Sequence, residues 1–68
     1  MEGAYKVIEV IGSSEKSWED AAQNAITAAS KSLKDLRIAE VIEMDMKIED
    51  GKILSFRTKL KLSFKIQD

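Results

Sequence analysis

Leu36–Ile66, LRIAEVIEMDMKIEDGKILSFRTKLKLSFKI, reads as one long β-hairpin turning at Glu49-Asp50-Gly51. Its return arm alternates without a fault. Leu54, Phe56, Thr58, Leu60, Leu62, Phe64 and Ile66 fall on one face, with Ser55, Arg57, Lys59, Lys61, Ser63 and Lys65 on the other. A period of two over about 13 residues means a strand with one dry face and one wet face. The outgoing arm answers with Ile42, Met44, Met46 and Ile48 against Glu43, Asp45, Lys47 and Glu49. Gly51 suits the positive φ of a short loop. Glu49-Asp50-Gly51 as a three-residue loop matches like faces, and its register pairs Met44 with Phe56 and Glu43 with Arg57.

Upstream, Ala4 to Ile11 is short and rich in β-branched residues, a first strand that Gly12-Ser13-Ser14 should break. Its poor alternation predicts cover on both faces. A helix follows. Ser17 with Asp20 resembles a capping box, and Glu19 and Asp20 suit the positive end of the helix dipole. Trp18, Ala22, Ala25, Ala29, Leu33 and Leu36, widened by Ala21 and Ile26, make an apolar stripe for a sheet. With no glycine or proline from Ser17 to Leu36, the pattern predicts one continuous helix, with Lys31, Lys34 and Arg37 at its negative end. The alanines let it approach the sheet closely. The fold class is therefore α+β: β-α-β-β, a three-stranded antiparallel sheet partly wrapped around one helix, in a single domain over residues 1–68.

Sixty-eight residues without cysteine hold at most one small core and no disulfide. A net charge of −1 argues against a general polyanion binder. No apolar run approaches the ~20 residues that span a bilayer, and Met1-Glu2-Gly3 is not a signal peptide. The expected location is cytoplasmic, with export by a non-classical route left open. Length decides one thing more. A helix of about 18 residues is roughly 27 Å long, whereas a strand of about 13 runs roughly 43 Å. An apolar overhang remains, near the turn (Met46, Ile48, Leu54, Phe56) or at the other end (Leu62, Phe64). Neighbouring copies covering each other's overhang are the economical remedy.

The absence of histidine and cysteine removes the usual bases and nucleophiles near pH 7, so the chain does not read as an enzyme. The row Arg57, Lys59, Lys61, Lys65 has serines where single-strand nucleic-acid binders interleave aromatics, and an acidic row faces it. No nucleic-acid or membrane partner is expected. Glu43, Asp45, Glu49 and Asp50 carry hard-cation oxygens without the spacing of an EF-hand loop. Only a symmetry axis gathering several copies would complete a site for calcium or another divalent cation, with Glu43 and Asp45 as its candidates. Glu40 falls among the apolar positions while Ala39 and Val41 fall on the wet face. A bulge or a contact with another subunit would explain this, and the subunit contact is preferred. Trp18 reads as a core anchor for the helix rather than a ligand-stacking residue.

Over essentially its whole length the chain resembles the dodecin family. The matching pieces are Tyr5-Lys6-Val7-Ile8-Glu9-Val10-Ile11-Gly12-Ser13-Ser14, the helix start at Ser17-Trp18, Leu36-Arg37-Ile38-Ala39-Glu40-Val41 and Lys61-Leu62-Ser63-Phe64. The resemblance implies a hollow homododecamer that binds and stores a small ligand without catalysis, the family ligand being flavin (FMN, FAD or riboflavin) stacked between aromatic side chains at subunit contacts. Two positions depart from that pattern. Ile38 stands where flavin-binding dodecins carry the stacking tryptophan, and Arg57 where they carry the ring-contacting glutamine. The Val41 to Met46 run is similar to a branch described as calcium-binding. Calcium or another cation is therefore the favoured ligand and weak flavin binding is expected. A flavin-storing dodecin with an atypical pocket is the alternative.

Overall fold

The computed structural model describes residues 3–66; Met1 and Glu2, part of the stretch that does not read as a signal peptide, lie outside them. The chain runs β1 (Tyr5–Ser14), α1 (Trp18–Ser30), β2 (Leu36–Glu49) and β3 (Lys52–Lys65). The strands form one antiparallel sheet in the order β1-β3-β2, the β-α-β-β arrangement that the sequence predicts. β3 is central, with α1 against one face, which is why its alternation is so regular. Toward the helix it presents Phe56, Thr58, Leu60, Leu62 and Phe64, of which Thr58, Leu60 and Leu62 are fully buried.

The hairpin turn is tighter than expected. Glu49 pairs with Lys52, so the loop is Asp50-Gly51 alone, with φ of 53° and 75°. Two successive left-handed residues give the turn whose twist matches that of the strands it joins. By itself a two-residue loop would set polar residues opposite apolar ones. A bulge at Leu54 restores the match, since Ile48 faces Ile53 while Lys47 faces Ser55. The pairs therefore differ from the predicted ones: Met46, not Met44, faces Phe56, and Asp45, not Glu43, faces Arg57.

A second bulge at Ile42 lies between Val41, opposite Leu60, and Glu43, opposite Lys59. An extra residue reverses the parity of everything before it. Ala39 and Val41 thus share the helix-side face with Leu62 and Leu60, and Glu40 shares the outer face with Lys61. This corrects the assignment of Ala39 and Val41 to the wet face, and the bulge rather than the preferred subunit contact accounts for the parity.

Helix α1 begins as the sequence predicts. Ser17 is its N-cap, and the Asp20 N–H donates to Ser17 Oγ at 2.9 Å. The Asp20 carboxylate accepts from Ser14 Oγ at 2.6 Å, which ties the helix start to the end of β1. The helix stops at Ser30, well short of Leu36. Ser30 Oγ donates back to the Ile26 carbonyl at 2.8 Å, and the Lys31 and Ser32 N–H groups close onto Ala28 and Ala29, tightening the last turn. Asp35, at φ 61°, then reverses the chain. Leu36 instead opens β2 opposite Phe64, packed on the core, and of Lys31-Ser32-Leu33-Lys34-Asp35 before it only Leu33 is apolar. Lys31 becomes the C-cap, and Lys34 and Arg37 lie beyond the helix.

Gly12 does not break β1. It sits inside the strand opposite Thr58, buried under α1. A Cβ there would overlap the Ala21 carbonyl oxygen and lie 2.9 Å from Ala25 Cβ. Ala21 and Ala25 are the two buried helix residues, so helix and sheet approach closely where both surfaces are smallest. The core is Ala25, Leu60 and Leu62, with Ile8, Val10, Ala22, Ile26, Ala29 and Leu36 packed around it.

That core is small for the surface it supports. A 13-residue helix spans roughly 20 Å, whereas the molecule is 52 Å long. Its accessible surface is 5276 Å², against about 4300 Å² for a compact monomer of this mass. α1 packs on β1 and β3, and β2 is exposed apart from half-buried Leu36 and Ile42. The overhang lies at the turn, where Met46, Ile48, Ile53 and Leu54 are exposed, because Leu62 is buried at the other end and Phe64 half-buried. Nor is β1 covered on both faces: Val7 and Ile11 stand exposed on the side away from the helix.

Candidate functional site

Residues opposed across an antiparallel ladder project to the same face, so the register maps the side of the sheet away from α1. Its rows run Ser13–Arg57–Asp45, Ile11–Lys59–Glu43, Glu9–Lys61–Glu40 and Val7–Ser63–Ile38. All four residues singled out from the sequence, Ile38, Glu43, Asp45 and Arg57, fall on this face. They do not converge. Glu43, Asp45 and Arg57 occupy adjacent rows. Ile38 lies opposite Ser63, six residues along β3 from Arg57, or roughly 20 Å. One ring could not touch both in a single chain.

The centre of the cluster is Asp45. Arg57 grips it with a fork: Nε donates to Oδ1 at 2.7 Å and Nη2 to Oδ2 at 2.8 Å. The guanidinium hydrogen bonds, assisted by its charge, hold the Asp45 carboxyl below its ordinary range and raise Arg57 in turn, with slight burial acting the other way in each. The sign follows directly. A carboxylate with a depressed pKa contributes stability at neutral pH and loses it as pH falls through that depressed range. Both side chains are about half exposed, so the contribution is small and screened by salt.

Asp45 also holds the helix. Its backbone carbonyl accepts the Trp18 Nε1–H at 3.0 Å. The Trp18 ring stands edge-on to Phe56, with centroids 4.9 Å apart at 67°, and Thr58 Oγ1 donates to the Trp18 carbonyl at 2.8 Å. Trp18 thus pins the start of α1 to β2 and β3, the anchoring role read from the sequence. The hydrogen bond to Asp45 was not legible there, because it depends on the bulged register. Asp50-Gly51, a dipeptide that favours two-residue turns, signals the tight turn but not the bulge at Leu54 that completes the register.

Glu43 lies opposite Lys59, which meets Glu9 at 3.6 Å on its other side. Central cations flanked by acids on both edge strands leave no net positive field for a polyanion. Among the described residues, no three of Asp, Glu, His or Cys stand together as a metal would need. A hard cation takes six to eight oxygens, so Glu43 and Asp45 supply at most part of such a site. Among the same residues no helix is long and apolar enough to cross a membrane.

A long bulged hairpin, with one short helix laid across β1 and β3, defines a class of small β-α-β-β protein, and the sequence matches the Dodecin family over residues 4–67. The chain belongs to the dodecin family. It is 46% identical over 63 residues to calcium dodecin of Mycobacterium tuberculosis, covering 93% of this chain and 89% of that protein. The crystal structure of that calcium-chelating immunodominant antigen, with a novel calcium-binding site, superposes with a TM-score of 0.85 at 48% identity, over 96% of this chain and 93% of that one. Dodecin from Streptomyces coelicolor gives a TM-score of 0.92 at 37% identity, over 96% and 93% of the two chains. Dodecin from Thermus thermophilus is 31% identical over 64 residues, covering 94% and 93%.

Proposed function

We propose that the chain is the single-domain subunit of a non-enzymatic, cytoplasmic homododecameric shell that binds or stores a small ligand, and that this ligand is calcium or another divalent cation rather than flavin. The observation that carries the choice of ligand is the state of the two family positions. Ile38 is 67% exposed and offers no aromatic face, and Arg57 is engaged by Asp45 in a bidentate ion pair. The similarity to calcium dodecin supports the cation. Assembly is supported by the exposed apolar overhang and by an acid pair too small to hold a cation alone.

Calorimetry with calcium on the metal-stripped particle tests the reading. Heat is expected in the parent and its loss in Glu43→Gln or Asp45→Asn. No heat in the parent ends the cation reading; heat unchanged in both variants removes these two acids from it.

Flavin is expected to bind weakly. A ring stacked on an indole gains about 0.5–1.5 kcal/mol beyond area burial, and Ile38 forfeits that term on each side of a stacked pair. Arg57 would have to leave Asp45 or enter the pocket as an ion pair where a neutral amide would serve. Arginine can stack on a ring or face a phosphate, so binding need not vanish. Riboflavin fluorescence should be little quenched by the parent and more strongly by Ile38→Trp with Arg57→Gln. Tight, full quenching by the parent would favour the alternative, a flavin-storing dodecin with an atypical pocket.

A further inference from the structure

We infer that the apolar tip of the hairpin in one copy of the chain seats in an apolar cleft beside the end of helix α1 in another. This rests on the proposed assembly and names the two surfaces that meet. The cleft lies where α1 stops and β2 begins. Ile26, Leu36, Ala39 and Leu62 line it together with exposed Arg37 and Ile38, and its volume is about 120 Å³. It exists because α1 packs on β1 and β3 and leaves β2 bare, and because Ala39 is small. An apolar cavity of ~150 Å³ stays dry and takes up benzene. This one has room for one aliphatic side chain.

The same strand supplies the occupant. Nine residues along β2 from Ala39, or roughly 30 Å, Ile48 stands 64% exposed with Ile53 opposite it at 55%. Val41 and Met44, also exposed, join tip to cleft in one apolar track on the helix side of the sheet. The other face of β2 carries Glu40, Glu43, Asp45 and Lys47, so only the helix-side face can dock dry.

Charge and area agree with this pairing. Glu49 and Lys52 oppose each other behind the turn and cancel, which leaves Asp50 at the tip, opposite in sign to the Arg37 that lines the cleft. The accessible surface exceeds that of a compact monomer of this mass by roughly 1000 Å². A standard interface takes about 800 Å² from each partner. Tip against tip would cover the overhang and leave the cleft open, whereas tip in cleft covers both.

Disulfide trapping tests the pairing. The chain has no cysteine, so introduced thiols pair only with one another. Within one chain, positions 39 and 48 are too far apart for a disulfide, which needs Cα atoms within about 7 Å. The double variant Ala39→Cys with Ile48→Cys, mildly oxidised and run on a non-reducing gel, should pass mostly into covalent species of two or more chains. Each single variant should stay at one chain. A single variant that cross-links by itself joins like to like and overturns the pairing. So does a double variant that stays uncross-linked while light scattering still finds a particle, and the assembly then stands without it. A parent that is a stable monomer ends both. Ala39→Phe gives an independent check, because it fills the cleft without adding charge. Its particle mass should fall while the circular dichroism of the subunit is kept, and an unchanged mass would overturn the pairing.

Discussion

Trp18→Ala should cost about 3 kcal/mol of fold and assembly stability, the low end of the range for truncating a large core aromatic. The low end applies because Trp18 is half-buried rather than enclosed. Three losses combine. The edge-on contact with Phe56 goes, the Asp45 carbonyl loses its indole donor, and the end of the core nearest the turn opens to water. The Thr58 bond to the residue 18 carbonyl survives, since it needs only backbone. Thermal melts with and without calcium or riboflavin separate anchor from ligand-stacker. An anchor lowers the melt in every condition, whereas a ligand-stacking residue would leave the unliganded melt unchanged.

Gly12→Ala should be comparably damaging, about 3 kcal/mol or more, although it adds only one methyl group. Overpacking costs roughly 1–3 kcal/mol when side chains can shift. Here the obstacle is the Ala21 carbonyl, and backbone cannot rotate away. The helix would have to lift from β1, separating Ala21 and Ala25 from the sheet. Circular dichroism melts of the purified variant check this. A variant as stable as the parent would mean that helix and sheet are not in close contact at this point.

These two residues also show what the sequence reveals and what it hides. The stripe from Trp18 through Ala25 was legible because a helix repeats every 3.6 residues and alanine marks close packing. β3 was legible because its alternation is unbroken. Gly12 was misread as a strand break, since a glycine needed for an approaching helix looks the same in sequence as one that ends a strand. The helix end was misread because no glycine or proline marks it. Ser30 and Asp35 end it through local hydrogen bonding and one left-handed residue, and Leu36 is drawn to a sheet partner 28 residues away. The predicted partners along β2 followed from the turn, so a loop one residue shorter together with the bulge at Leu54 moved Arg57 from Glu43 to Asp45. At the candidate site the residue types were legible and their grouping was not. The bulge at Ile42 brings Ile38 onto the face of Glu43 and Asp45, but two rows of sheet lie between Ile38 and Arg57.

On the proposed function, one chain carries only part of a ligand site and neighbouring copies complete it. Exposed Met46, Ile48, Ile53 and Leu54 and a sheet longer than its helix support that proposal, as do two acids that no third joins among the described residues. Multi-angle light scattering at micromolar concentration tests this most directly. It should return a single compact species of about 90 kDa, twelve chains of 7.6 kDa. A stable monomer at that concentration would rule out a site shared between copies.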